Sequence, residues 1–578
     1  MFELGWPHPI GSFLVTTPNS PARLAHAKHG DRRFPSALVF VVLLLSWTPI
    51  LLAGWPGYFN YDSGTDYLMQ WGQIESGRLN AHHPVLHTLF IEATVKAGQT
   101  LFGSFDAGVS VCVMVQALLI AAALTWVLRW MSANGMGRVG TCLSVAYLAL
   151  DPVISLFAFS TTKDSLFAAA VVLYAANLAA FCRPGRGTAG RASEEAPASK
   201  GAAEPGTGEG CPAPKEAPAA HAATGHVVAG RDAAARIATR EAPAGRGTLR
   251  TVRDLVPLAC LTAIVAMLRS NGLVALVVTV PVVLALLARG QRPAYLKATL
   301  AGLVAALIWL GPLSLLMGVE KSPIGKWNVL CIPEQQIARA AADPSVSDAD
   351  RELIGRLLPG IQYKDNLSDV ARGAFMRAEA EGTASPKELV GLYLHLARAY
   401  PGVYIEAFLA HTRGAWDLAS GVGNVYGDDP GATNAFAIRQ QAPATRESLA
   451  PRLLEWISWL STSAEVQRTP FAVLLSMPLY LIVCTACLVV AIRRRDRTAG
   501  IVMAPLVTLA LSNLLGPCML IRYFLYLFYG LPLMAWVLRG PGAKGRHEGF
   551  AREERANAKN THMEDTRTKG ARIRRRTS

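Results

Sequence analysis

Two aspartates, Asp62 in Tyr61-Asp62-Ser63 and Asp66 four residues on, follow the first long apolar run of the chain, and His82-His83-Pro84 comes after them. A carboxylate within about 3 Å of a hydroxyl can take its proton, so Asp62 is a candidate general base and Asp66 its alternate. Either aspartate could instead bond its own backbone as a loop cap. The apolar run, from about Ser36 to Gly54, is close to the roughly 20 residues that cross a hydrocarbon core about 30 Å thick. Asp62 is then expected just outside a bilayer, where it would meet a substrate that is itself half in lipid.

A second set of charges stands at the ends of later apolar windows. Lys163 and Asp164 open one window, Arg269 lies between two others and Arg522 opens the last. Arginine near a span belongs by default on the cytoplasmic side, and burying one at the bilayer centre costs about 2.5–3.5 kcal/mol on insertion scales. On the outer side, Arg269 and Arg522 are expected to answer a negative charge. A guanidinium binds phosphate bidentately, so an anionic head group is one candidate. The other is that each pairs with Asp62, Asp66 or Asp164 as a structural tie. Gln335, Gln336 and Arg339 form a polar stretch that either contacts a sugar or acceptor or opens a solvated helix. His83 and His87 have the i, i+4 spacing of a metal-binding helix face. No acid stands beside them in H-E-x-x-H fashion, so a structural pair is expected; no cofactor is named and a divalent metal is left open. Trp47, Trp55, Tyr58, Tyr523 and Tyr526 read as interfacial belts.

These residues need a membrane scaffold. The 578 residues are 51% hydrophobic and 17% charged, which with so many long apolar runs points to an all-α polytopic membrane protein. Apolar windows predict about ten transmembrane helices, near 36–54, 108–131, 139–157, 163–182, 254–269, 272–289, 295–317, 470–492, 499–516 and 520–538. Lys28, Arg32 and Arg33, Arg129 and Arg138, Arg289, Arg292 and Lys297, and Arg493-Arg494-Arg495 then fall on one side, the cytoplasm. The division that follows is a cytoplasmic segment 1–35, spans one to four over 36–182 with an outer loop at 55–107, and a cytoplasmic linker 183–253. Spans five to seven cover 254–317, an extracytoplasmic helical domain 318–469, spans eight to ten 470–538, and a basic cytoplasmic tail 539–578. Residues 184–250 are rich in Ala, Gly and Pro with almost no aromatics, so they are expected to be disordered. In the outer domain, Ser347-Asp348-Ala349-Asp350 has the form of a capping box, and Ser385-Pro386 that of a cap with proline in the first turn. A helical stretch follows Tyr400-Pro401, and the Gly, Asn and Asp run at 421–432 reads as a loop.

The net charge of +15 lies largely in the linker and tail, where it suits anionic lipid. No nucleic-acid module stands beside it, so no nucleic-acid partner is expected. The nine cysteines make no disulfide framework or zinc pattern, and Cys484-x-x-Cys487 is embedded in apolar sequence without redox context. The first 35 residues hold no signal-peptide core, so the first span reads as a retained anchor.

The order of "YDS", "HHPV-x-HT", "TTKDSLFA", "LRSNGL", "IPEQQIAR" and "RYFLYLF" resembles the bacterial membrane glycosyltransferases of the GT-C type. Within them it is similar to an uncharacterised actinobacterial branch related to the protein mannosyltransferases and the lipid A aminoarabinose transferase. The resemblance covers nearly the whole chain except the linker and the two ends. It implies transfer of a sugar, with inversion, from a polyprenyl-phosphate donor to a glycan, lipid or protein acceptor on the outer face of the cell membrane. Asp62 takes the place of the catalytic base; Lys163, Arg269 and Arg522 become ligands of the leaving phosphate. Tyr61, His83, Asp164, Asn271 and Tyr523 lie in the same motifs and are expected to line the substrate. The related enzymes commonly pair two acids where this chain has Asp62-Ser63. Alternatives are a transporter or flippase of an anionic lipid-linked substrate, which should show paired repeats and broken spans, and a membrane protein that binds envelope components without turnover.

Overall fold

The computed structural model describes residues 35–58, 70–182, 252–322, 327–365, 367–418, 448–462, 464–467 and 469–540. Tyr61, Asp62 and Asp66, nearly all of the 183–253 linker, the 421–432 loop, the N-terminal segment and the tail lie outside the described residues. The chain is all-α, with no strand among the described residues and three isolated bridges, Tyr58 to Ser160, Asn80 to Glu320 and Leu367 to Cys518.

The first half comprises α1 (Ser36–Ala53), α2 (Gln70–Ser76), α3 (Val85–Phe102), α4 (Phe105–Met131), α5 (Gly137–Leu150), α6 (Pro152–Ala158) and α7 (Lys163–Cys182). After residue 251 come α8 (Val252–Leu268), α9 (Ser270–Leu286) and α10 (Arg292–Ile308), then α11 (Cys331–Ala342), α12 (Asp348–Leu357), α13 (Asp369–Glu381), α14 (Pro386–Ala399) and α15 (Pro401–Trp416). The last part holds α16 (Pro451–Thr462), α17 (Pro470–Leu474), α18 (Met477–Arg493), α19 (Arg497–Leu514) and α20 (Leu525–Arg539).

Five helical runs among the described residues are long and apolar enough to cross a membrane: Ser36–Ala53, Phe105–Leu150, Lys163–Cys182, Arg289–Leu316 and Ile521–Arg539. Leu255–Leu268, Ser270–Leu286 and Met477–Arg493 are apolar but shorter. Such a set suggests a membrane protein. Two expected windows are interrupted, each at a proline. The 139–157 window breaks because Asp151 caps α6, its Oδ1 accepting Ile154 N at 3.0 Å, with Pro152 in the first turn; proline has no N–H with which to continue α5. The 470–492 window splits into α17 and α18 at Leu475-Ser476, with Pro478 in the first turn of α18.

One continuous core joins α1, α4 to α10, α16 and α18 to α20, and includes Trp47, Val113, Tyr174, Val283, Phe528 and Trp536. A second, separate core of residues between Trp327 and Tyr404 is built by α11 to α15. Its helices start as the sequence prescribes. Ser385 and Glu388 form a complete capping box, with Pro386 in the first turn. At α12, Ser347 Oγ accepts Asp350 N at 3.1 Å, but the Ser347 N–H goes to Tyr400 Oη instead, and the Asp350 carboxylate takes the Tyr400 hydroxyl at 2.6 Å.

The α3–α4 hairpin depends on two facing glycines. A Cβ on Gly98 would lie 2.6 Å from Gly108 Cα, and one on Gly108 would lie 2.5 Å from Val95 O. Backbone cannot yield as a side-chain tip can, so Gly108→Val should cost about 1–3 kcal/mol of stability. The expected outcome is a lower melting temperature in detergent, and an unchanged one would show that the helices separate at no cost.

Candidate functional site

The first turn of α7 places a carboxylate below the reach of solvent. Asp164 is fully buried, and Thr162 donates its hydroxyl to Asp164 Oδ2 at 3.2 Å. Leaving such a charge unpaired would cost several kcal/mol, so cations must come to it. Arg269, in extended backbone at the N-cap of α9, donates Nη1 to Asp164 Oδ1 at 2.6 Å. Arg522, in the single 3-10 turn Ile521–Phe524 that precedes α20, brings Nε to 3.7 Å from Asp164 Oδ2. The Tyr523 ring serves both cations, with the Arg269 guanidinium carbon 4.3 Å and that of Arg522 5.2 Å from its centroid.

Amides fix that tyrosine. Asn513 Nδ2 donates to Tyr523 O at 2.7 Å, while Asn513 Oδ1 accepts Asn271 Nδ2 at 3.1 Å. Asn513 is 1% exposed inside α19 and was not among the expected site residues; an amide within an apolar window was its signal. Close helix approach brings Arg269 in. A Cβ on Gly272 would lie 2.2 Å from Val265 O and 2.8 Å from Phe167 Cε2, so α9 sits directly against α8 and α7.

The structure therefore unites Asp164, Arg269, Asn271, Arg522 and Tyr523, with Lys163 at the start of the same helix as Asp164. Two guanidiniums thus converge on one carboxylate in a largely buried site. Arg269 is an ion-pair partner of Asp164, one of the pairings expected for it.

The residues of the second core have other tasks. Gln335 and Gln336 are 1% and 9% exposed, so they do not open a solvated helix. Gln335 Nε2 donates to Lys364 O and to Asp365 O, and Gln336 Nε2 to Tyr404 O at 3.1 Å while its Oε1 accepts the Tyr393 hydroxyl at 3.0 Å. Both amides stitch α11 to its neighbours. Arg339 lies between Asp343 and Glu406, each at 3.5 Å, with Tyr363 beneath it. His83 and His87 do not share a helix face, because α3 begins at Val85 after Pro84. His87 Nδ1 lies 3.0 Å from Gln70 Oε1, and His83 packs against His82 with ring centroids 4.6 Å apart. No group of three or more His, Cys, Asp or Glu side chains able to hold a metal occurs among the described residues.

Glu334 was passed over in the same motif. It is fully buried, and neither carboxylate oxygen has a hydrogen-bond partner among the described residues. Burial pushes its carboxyl from the ordinary 4.5 up to about 8, with the charge of Arg372 opposing the shift. The helices of the second core are fastened to the segment before Arg522: Ser368 N donates to Pro517 O at 3.1 Å, and His411 Nε2 lies 2.8 Å from Gly516 O.

Comparison with known protein families now decides membership. Residues 65–562 match a family of unknown function, DUF6020. The chain belongs to that family. No curated protein and no solved structure matches it.

Two outcomes test the charges of this DUF6020 chain. Arg269→Met removes the 2.6 Å partner of a fully buried carboxylate and should cost about 3–5 kcal/mol. Arg522→Met, which removes a partner at 3.7 Å, should cost clearly less. Thermal unfolding of the purified variants in detergent orders the two, and equal losses would deny Arg269 its special place.

The second concerns pH. A raised carboxyl binds its proton more tightly folded than unfolded, so the stability it adds is complete below pH 4.5 and is lost as pH rises through about 8. Glu334→Gln keeps the shape and cannot ionise. Between about pH 6 and pH 9 the variant should lose less stability than the parent, and parallel melting curves across that range would refute a raised carboxyl at Glu334.

Proposed function

We propose that this DUF6020 protein is a membrane glycosyltransferase that moves a sugar from a polyprenyl-phosphate donor to an envelope acceptor on the outer face of the membrane. The observation that carries the reading is the convergence of two guanidiniums, Arg269 and Arg522, on Asp164 around the Tyr523 ring. Guanidiniums gathered in one place suit a phosphate, which each can bind through two parallel hydrogen bonds. The motif order of the sequence supplies the sugar and the polyprenyl chain.

On this reading ten helices span the membrane, both ends and the 183–253 linker are cytoplasmic, and 55–107 and 318–469 face outside. The basic clusters at Arg129 and Arg138, Arg289, Arg292 and Lys297, and Arg493 to Arg495 support that orientation. The convergence of Asp164, Arg269 and Arg522 supports a common side for those three helix ends.

The reaction is an inverting displacement. An acceptor hydroxyl oxygen attacks the anomeric carbon, Asp62 takes the hydroxyl proton, and the bond from that carbon to the phosphate oxygen breaks. The electron pair leaves with the polyprenyl phosphate, and Arg522, Lys163 and Arg269 offset the charge that develops there. A water-poor site strengthens this, because the same charges interact more strongly away from bulk solvent.

Asp62→Asn tests the assignment, since it keeps size and polarity and removes basicity. Transfer in membranes supplied with the donor should fall by about 10²–10⁴-fold while protein level holds, and Asp66→Asn should cost less. Cells lacking the protein should accumulate its lipid-linked donor. If both asparagine variants turn over normally and no lipid-linked sugar accumulates, the transferase reading is wrong.

A further inference from the structure

The segment 448–476 is strung between two helix ends. At its start, Leu449 N donates to Leu52 O at 3.0 Å, one residue from the end of α1; at its finish it runs directly into Met477, the first residue of α18. In between, α16 turns Ile457 and Leu460, with Leu453 and Leu454, into the core shared by the membrane-type helices, and it packs on α1. It does not join the separate core of α11 to α15.

Its other flank is unusual for a surface in water. Arg452, Trp456 and Trp459 recur at i, i+4 and i+7 and form one exposed stripe, with Trp456 51% and Trp459 49% accessible. Phe471 and Leu474 on α17 are likewise exposed, as is Leu52 at the end of α1. Exposed apolar residues continue down α1 through Leu45, Val41 and Leu38, which is the surface lipid covers if α1 spans. A helix tied to the end of one span and leading into another stands at the level where hydrocarbon gives way to head groups. Tryptophan concentrates at that level, its ring in the apolar layer and its N–H in the wet one, and arginine beside it meets lipid phosphate.

We propose that α16, with α17, is an interfacial helix whose Arg452–Trp456–Trp459 stripe lies in the head-group layer of the outer leaflet. The stripe anchors the outer end of α1 and sets the depth of the bundle in the membrane. This rests on α1 and α18 being spans and is independent of the reaction the protein performs.

The full chain in nanodiscs of phosphatidylcholine and phosphatidylglycerol provides the test. Nitroxide labels at Trp456→Cys and Trp459→Cys, in a cysteine-depleted background, should collide several-fold more with oxygen, relative to a water-soluble nickel chelate, than a label at Lys387→Cys on exposed α14. In the cysteine-containing protein, Trp456→Phe with Trp459→Phe should reduce the share of fluorescence quenched by lipids brominated near the top of their chains. Nickel collisions equal to those at position 387 would place the stripe in water. Low collision rates with both reagents would place it under protein. Either result, or quenching unchanged in the phenylalanine variant, overturns the proposal.

Discussion

A fully buried carboxylate dictates the geometry around it. Asp164 cannot stay charged in an apolar bundle unless cations reach it, and the nearest in sequence that do so are 105 and 358 residues away, at Arg269 and Arg522. The end of α8, the start of α9 and the turn before α20 must therefore meet the first turn of α7. Close packing at Gly272 makes that meeting possible for α9, and the Asn271–Asn513–Tyr523 chain holds the turn before α20 in place. An ion pair alone would repay little beyond the desolvation of its members. Its value lies in fixing which helix ends are neighbours, and so where the third charge stands.

The helices α11 to α15 reach the same place by a different route. Their core is separate, yet Leu367, Ser368 and His411 hold the backbone at 516–518, four to six residues before Arg522. A shift of α13 or α15 would be passed along that short segment to the arginine. Glu334 sits in the helix packed between these two, and an acid without hydrogen-bond partners is an expensive thing to bury. The domain thus carries a weak point close to its joint with the bundle.

Much of the scaffold was legible because its signals are local. Apolar windows located α1, α4, α7 and α20 to within a few residues, and Ser385-Pro386 located the start of α14. The charge site was legible for another reason: a charged residue at the end of an apolar window stands out, and three of them, Asp164, Arg269 and Arg522, proved to be one place. What the sequence concealed depends on depth. Gln335 and Gln336 have the polarity of a solvated turn, and only the packing of α11 among its neighbours reveals that their amides serve backbone carbonyls. Glu334 was hidden for the same reason, since a glutamate between polar residues reads as surface until its burial is known. The i, i+4 spacing of His83 and His87 misled because spacing has meaning only inside a helix, and Pro84 lies between them and starts it.

Charge balance also bears on which ligand suits the proposed reaction. A neutral sugar gains nothing from a fixed cation, whereas a phosphate does. Phosphate suits this geometry, because each guanidinium offers parallel donors and the Tyr523 ring, 4.3 Å from one and 5.2 Å from the other, limits how either can turn. In a displacement at the anomeric carbon, the phosphate oxygen gains charge as its bond to the sugar breaks. Donors already held in place, away from water, stabilise that charge without first reorganising. On the proposed reading, the arrangement that keeps Asp164 buried would also favour the departure of a lipid phosphate over its mere binding.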